Sequence, residues 1–140
     1  MKRLVSIDYG TKRIGVAASD LMQCIVSPLG TISSSKTDGE RVLLLKELIT
    51  IAEVEKIIVG NPLHMDGKES LMSSKAREFA LLIENTFTIP TLLWDERLTS
   101  KQVERLMESE KSSKKKIKQH VDTLSAVLIL QSYMSATQPH

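Results

Sequence analysis

The stretch Arg3-Leu4-Val5-Ser6-Ile7-Asp8 constrains this chain more than any other: an apolar strand that ends in a carboxylate. Leu4, Val5 and Ile7 predict burial, and an acid leaving a buried strand needs a cation, a hydrogen-bond donor or water. Residues 13 to 18, Arg13-Ile14-Gly15-Val16-Ala17-Ala18, read as a second strand joined to the first through Gly10-Thr11 in a hairpin-like connection. A third strand is expected within 24 to 34. Pro28 lacks a ladder donor, which places that strand at the sheet edge.

From Asp38 the apolar period lengthens. Leu45, Leu48, Ile49 and Ala52 recur at the spacing of one helical face, and Thr37 with Glu40 forms a capping box ahead of them. Lys56-Ile57-Ile58-Val59, stopped by Gly60 and Pro62, has the character of a buried parallel strand. Ala76, Phe79, Ala80 and Ile83 mark a second helix, and residues 90 to 94 a fifth strand closed by Asp95-Glu96-Arg97. Thr99 and Gln102 suit another capping box, opening a helix with Val103, Leu106 and Met107 inward. The polar, lysine-rich stretch 109 to 118 reads as a flexible loop, followed by a last helix over about 119 to 136. Apolar on two stripes, with Ala126, Ile129, Leu130 and Tyr133 on one and Leu124, Val127 and Leu128 on the other, that helix should be well buried.

Three strands, then helix, strand, helix, strand and two helices predict an α/β domain. Two right-handed crossovers set strands four and five parallel to strand one, giving a mixed five-stranded sheet in the order 3-2-1-4-5. At 140 residues, with 41% hydrophobic and 26% charged residues, residues 1–140 are expected to form one domain. A lone cysteine, Cys24, and no charged-then-apolar leader predict a cytoplasmic chain. No apolar run approaches a membrane span.

Open α/β sheets bind ligands at the carboxyl edge of their parallel strands, where Asp8 and the Asp95-Glu96 pair both fall. The residues alone leave open which of Asp95 and Glu96 faces the site. Asp122 shares its helical stripe with Ala126, Ile129 and Tyr133, the face expected against the sheet. Three acids gathered at one edge repel one another unless a divalent cation neutralises them, and an oxygen-only set suits magnesium or manganese. Such ions activate water and stabilise the leaving oxygen in phosphodiester hydrolysis. Each acid also has a simpler reading: Asp8 capping the Gly10-Thr11 turn, Glu96 pairing with Arg97 or Arg105, Asp122 complementing a helix N-terminus.

Nineteen basic against seventeen acidic side chains leave a net charge of only +2, so nucleic-acid binding must be argued from position. Lys12 and Arg13 beside the first turn, Arg97 and Lys101 after the fifth strand, and Lys114, Lys115 and Lys116 are the candidate phosphate contacts. A solvated lysine loop explains the last three equally well. His64, His120 and His140 lack zinc spacing with Cys24. With five aromatics in the chain, Trp94 reads as core rather than as part of a base-stacking platform.

Four segments, Asp8 through Ala17, Val59 through Gly67, Asp95 through Ser100, and Asp122 with Ser125-Ala126, resemble in order and spacing the motifs of the YqgF family, known also as Holliday junction resolvases. The resemblance spans nearly the whole chain. It implies an RNase H-like fold, a nuclease dependent on Mg2+ or Mn2+, and a role in maturing the 5′ end of the 16S ribosomal RNA precursor, as a monomer or homodimer. Asp8, Glu96 and Asp122 match the family's acidic positions, both as catalytic residues and as metal ligands. Asn61 stands where the family usually has an apolar residue, and His64 where asparagine is common. Asp8-Tyr9-Gly10-Thr11 also resembles the first phosphate loop of actin-like ATPases and sugar kinases, but that reading needs a second domain for which 140 residues leave no room. A rival of another kind is an RNA-binding assembly factor that keeps the fold and turns over poorly.

Overall fold

Side chains on a strand alternate between faces, and the first strand sorts its residues cleanly by that rule. In the computed structural model, β1 (Arg3–Tyr9) sends Val5, Ile7 and Tyr9 into one core and Leu4 into another on the opposite face, the face shared by Ser6 and Asp8. The structure describes residues 1–10, 12–33, 37–98 and 114–138, with side chains throughout except in 114–122.

β1 pairs antiparallel with β2 (Arg13–Ser19) and parallel with β4 (Val54–Asn61). β3 (Val26–Ser33) lies outside β2, and β5 (Thr91–Asp95) lies outside β4. The sheet order is therefore 3-2-1-4-5, as the element order demanded. Pro28 sits on the edge strand as expected, opposite Ala17, where the pairing shifts register. Gly30 nearby takes a positive φ of 149°, which a larger residue rarely adopts.

On the Val5 face lie α1 (Asp38–Leu48) and α2 (Leu71–Phe87), whose Val42, Leu45, Ala76, Phe79 and Ile83 fill the larger core. Thr37 and Glu40 form the complete capping box at the start of α1. The predicted face ran too far. Ile49 is already extended and Ala52 belongs to a separate 3-10 turn, Ile51–Glu53, so the inward face is Arg41, Val42 and Leu45. The β-branched run Ile49-Thr50-Ile51 favours extended backbone over a further helical turn.

On the opposite face, α3 (Lys114–Thr137) packs Ile129, Leu130, Tyr133 and Met134 against Leu4 and Ile58. It begins at Lys114, which corrects the expectation of a loop reaching residue 118. Lysine is a good helix former, and a helical turn does not require an apolar period. The helix predicted around 103 to 107 lies outside the described residues. Trp94, expected in the core, packs partly buried against the smaller one: its indole Nε1 donates to Ser132 Oγ at 3.0 Å, and its ring meets Tyr133 edge-on at 5.4 Å. No helix among the described residues is long and apolar enough to cross a membrane.

Phe79 is almost fully buried where α2 meets the sheet. Phe79→Ala should cost about 3–5 kcal/mol in equilibrium urea unfolding, the usual price of a large core cavity.

Candidate active site

Strand alternation carries the even-numbered residues of three parallel strands to the α3 face. Leu4, Ser6 and Asp8 on β1, Ile58 and Gly60 on β4, and Leu92 and Trp94 on β5 form three neighbouring rows, and Glu96 follows Trp94 in the 3-10 turn Glu96–Leu98. Adjacent strands stand about 4.8 Å apart, so Asp8 and the end of β5 are separated by roughly 10 Å with β4 between them. The residue of β4 at that level is glycine. A Cβ at Gly60 would collide with Glu96 Oε1 and come within 2.6 Å of Ile129 Cδ1. The missing side chain is therefore the slot through which Glu96 crosses β4 to hydrogen-bond Asp8.

Burial pushes the Glu96 carboxyl up to about 9, with further contributions from the Asp8 charge, the Asp8 hydrogen bond and the Asp95 charge. Near neutral pH Glu96 accordingly holds the proton between the two groups. A divalent cation there would take that proton's place, and two converging carboxylates are the oxygen donors that magnesium or manganese prefers.

The third predicted acid is placed by backbone register. Ser6, fully buried on β1, donates its hydroxyl to the carbonyl of Ala126 on α3 at 2.6 Å. Further along α3, the Tyr133 hydroxyl accepts from Lys56 on β4 beside Leu4, so the helix runs antiparallel to β1. Two residues beyond Ser6 on the strand advance about 6.6 Å, and four residues back from Ala126 on the helix about 6 Å. Asp122 thus stands on the helix at the level of Asp8. Its side chain is not among those described, and no group of three potential metal ligands occurs among the described residues.

Within the Asp95-Glu96-Arg97 triplet the tasks separate. The Asp95 carboxylate accepts from the Arg97 backbone at 2.9 Å and from its guanidinium Nη2 at 2.6 Å, which lowers the Asp95 pKa. Glu96 alone of the two acids turns to Asp8. Arg97, a predicted phosphate contact, also donates Nη1 to the Met65 carbonyl at 3.2 Å. Lys12 is exposed beside the first turn, and Arg13 starts β2. Lys114, Lys115 and Lys116 open α3, and Lys101 lies outside the described residues. His64 is exposed in the loop between β4 and α2, while Asn61 accepts a 2.5 Å bond from Ser73 Oγ.

Sequence reading missed the group under the first turn. Arg41 is 4% exposed, with its guanidinium 5.6 Å from the Tyr9 ring centroid and Nη1 3.5 Å from the Gly10 carbonyl. Tyr9 donates its hydroxyl to Asp38, and Asp38 pairs with Arg41 at 3.4 Å. A charged residue on the inward face of an amphipathic helix was the available signal.

The family model described as "RuvX: Holliday junction resolvase" matches residues 2–136. A relative from Thermoanaerobacter pseudethanolicus is 43% identical over 137 residues, covering 96% of each chain. A Geobacillus relative is 40% identical over 137 residues, covering 97% of this chain and 99% of its own, and one from Bacillus subtilis is 36% identical over 135, covering 96% and 98%. All three carry the name "Putative pre-16S rRNA nuclease". Among solved structures, Thermus thermophilus RuvC in complex with a Holliday junction substrate superimposes with a TM-score of 0.55 at 12% identity, covering 99% of this chain and 97% of that one. At that identity the likeness is one of fold, and the fold is RNase H-like.

Gly60→Ala should displace Glu96 and lower nuclease activity at least about tenfold, while overpacking costs about 1–3 kcal/mol in urea unfolding. Unchanged activity would show that the slot is unimportant. The raised Glu96 pKa also sets a pH dependence for the metal-free protein. Its folded state binds this proton more tightly than the unfolded state, whose value is near 4.5, so the stabilisation is complete below that value and lost as pH rises toward 9. In EDTA, Glu96→Gln should therefore gain on the wild type between pH 5 and pH 9, by roughly 5 °C in thermal melting. A constant difference across that range would contradict the assignment.

Proposed function

Because the chain belongs to the RuvX family, also called YqgF, we propose that it is a Mg2+- or Mn2+-dependent nuclease whose substrate is the 5′ extension of the 16S ribosomal RNA precursor. The observation that carries the reading is the meeting of Asp8 and Glu96 across Gly60 at the carboxyl edge of the parallel strands. The names of the relatives support the RNA substrate, which would place the protein in the cytoplasm with ribosome assembly.

Asp8, Glu96 and Asp122 would hold the ion. Bound magnesium or manganese supplies a Lewis acid for the phosphodiester and lowers the pKa of water. Asp8 and Glu96, both ionised in that state, orient the water on one side of the phosphorus. A bond forms from the water oxygen to phosphorus as the bond to the leaving ribose oxygen breaks; the attacking water gives one proton to bulk solvent, and the leaving oxygen takes one from it. Lys12 and Arg13 beside the Asp8 turn, and Lys114, Lys115 and Lys116 at the start of α3, hold the strand through its phosphates. Lys101 joins them from the segment after β5. Cutting one RNA strand requires one such site, so a single 1–140 domain acting as a monomer suffices.

The description of the family model favours a second substrate, the four-way DNA junction. Its resolution needs two cuts related by symmetry and hence a homodimer.

The test offers a 5′-extended precursor 16S RNA fragment and a four-way DNA junction to the wild type and to Asp8→Asn, with magnesium or manganese. Cleavage of the RNA, reduced about 1000-fold in the variant through the loss of several kcal/mol of charge stabilisation, is expected. Preferential cutting of the junction would shift the reading to a dimeric resolvase. Equal traces of cleavage by both proteins would leave only an RNA-binding role.

A further inference from the structure

Arg97 stands one residue from Glu96, yet its guanidinium faces the protein on three sides. Nε and Nη2 engage both oxygens of Asp95 at 2.6 to 3.0 Å. Nη1 reaches across 32 sequence positions to the carbonyl of Met65. The loop it reaches, residues 62–70, is braced otherwise at its ends, by Leu63 N–H to the Asn61 carbonyl, Ser70 Oγ to the Pro62 carbonyl and the ion pair of Glu69 with Arg77 on α2, and within its tip by His64 N–H to the Lys68 carbonyl, Gly67 N–H to the His64 carbonyl and Lys68 N–H to the Asp66 carboxylate. Among the described residues these bonds give the loop its shape without tying its tip, residues 64–68, to the sheet. Gly67 lets the loop turn back toward Arg97. Its φ is +85°, a backbone conformation that a residue with a side chain rarely adopts, whereas a Cβ there would make only an ordinary contact with Nη1 at 3.4 Å.

We propose that Arg97 is a positioning residue: clamped by Asp95, it fixes the tip of the 62–70 loop as one wall of the groove over the Asp8–Glu96 pair, rather than meeting substrate phosphate itself. The flat, forked guanidinium suits this work, because it bonds a carboxylate through two nitrogens and still has a third for a carbonyl. The loop leaves β4 directly after Gly60, the residue Glu96 crosses, so its tip and the acids share one edge of the sheet. Its exposed residues, His64, Met65 (82% exposed), Asp66 and Lys68, form a surface of fixed shape beside the reacting phosphodiester. One clamp thus serves two ends: it occupies Asp95, which leaves Glu96 to Asp8, and it holds the wall. The consequence for cleavage rests on the nuclease reading, whereas the clamp itself does not.

Three variants separate a clamp from a phosphate contact. Arg97→Lys keeps the charge and loses the fork, Arg97→Met loses both, and Gly67→Ala changes no charge but strains the turn that carries the loop tip to the guanidinium. The wild type and each variant are compared in hydrogen exchange, in RNA binding against salt concentration without divalent ions, and in cleavage of the precursor RNA with manganese. A clamp predicts that Arg97→Lys and Gly67→Ala both speed exchange in the 63–70 peptide while β4 and α2 keep their protection. It also predicts a fall in kcat/KM of about 10–100-fold in each, an Arg97→Lys/Gly67→Ala pair no worse than either alone, and an unchanged salt slope. The proposal is overturned if Arg97→Lys behaves as wild type while Arg97→Met lowers the salt slope by about one, the mark of a lost phosphate contact. It is equally overturned if exchange rises across the whole core or nowhere. Should the wild type cut no RNA, the nuclease reading falls alone, and the exchange data still decide whether Arg97 holds the loop.

Discussion

The passage of the Glu96 side chain over Gly60 is the contact on which the acidic site depends. Without it the carboxylates of β1 and β5 would stand roughly two strand spacings apart, too far to share a proton or an ion. Any side chain at position 60 would meet both Glu96 and Ile129, so the smallest residue lies where strand, turn and helix crowd together. The gap has an electrostatic consequence as well. It brings a second acid into a half-buried site where repulsion and desolvation both favour protonation, and Glu96 rises to about 9. Such a pair is unfavourable in isolation and well suited to a divalent cation, which is the physical ground for proposing a metal ion there.

Around that contact the fold divides its labour by face. Val5, Ile7 and Tyr9 join α1 and α2 in the larger core, which contributes packing and little else. The other face carries the smaller core and the Asp8–Glu96 pair, with α3 pinned to β1 by the Ser6 hydroxyl on the Ala126 carbonyl. A buried hydroxyl bonding a helix carbonyl is a directional constraint, whereas apolar contacts tolerate sliding. That bond sets the level at which Asp122 stands relative to Asp8. The simpler reading of Asp122, an acid favoured near a helix N-terminus, weakens once α3 begins at Lys114, eight residues earlier.

Much of this was legible before any coordinates. Strand alternation, the Thr37–Glu40 capping box, Pro28 at an edge and two helical crossovers imply the sheet order, because each is a local rule with few exceptions. The prominence of Asp8 follows from a carboxylate ending an apolar strand. Errors arose where local signals lacked a stop or a start. The Leu45, Leu48, Ile49, Ala52 spacing continued past the real end of α1, and a lysine run without apolar period concealed the first turn of α3.

The chain's sequence by itself determined the strands, their order, the family and a short set of candidate acids, since these follow from period, spacing and residue chemistry along the backbone. Only the tertiary structure decided between Asp95 and Glu96, revealed Gly60 as the opening between them and Asp8, and showed Arg97 turned toward Asp95 and Met65. Those are contacts between residues tens of positions apart, or choices between neighbours a single residue apart. Neither leaves a periodic trace, because what fixes them is the few ångströms of space that three packed elements leave to one another.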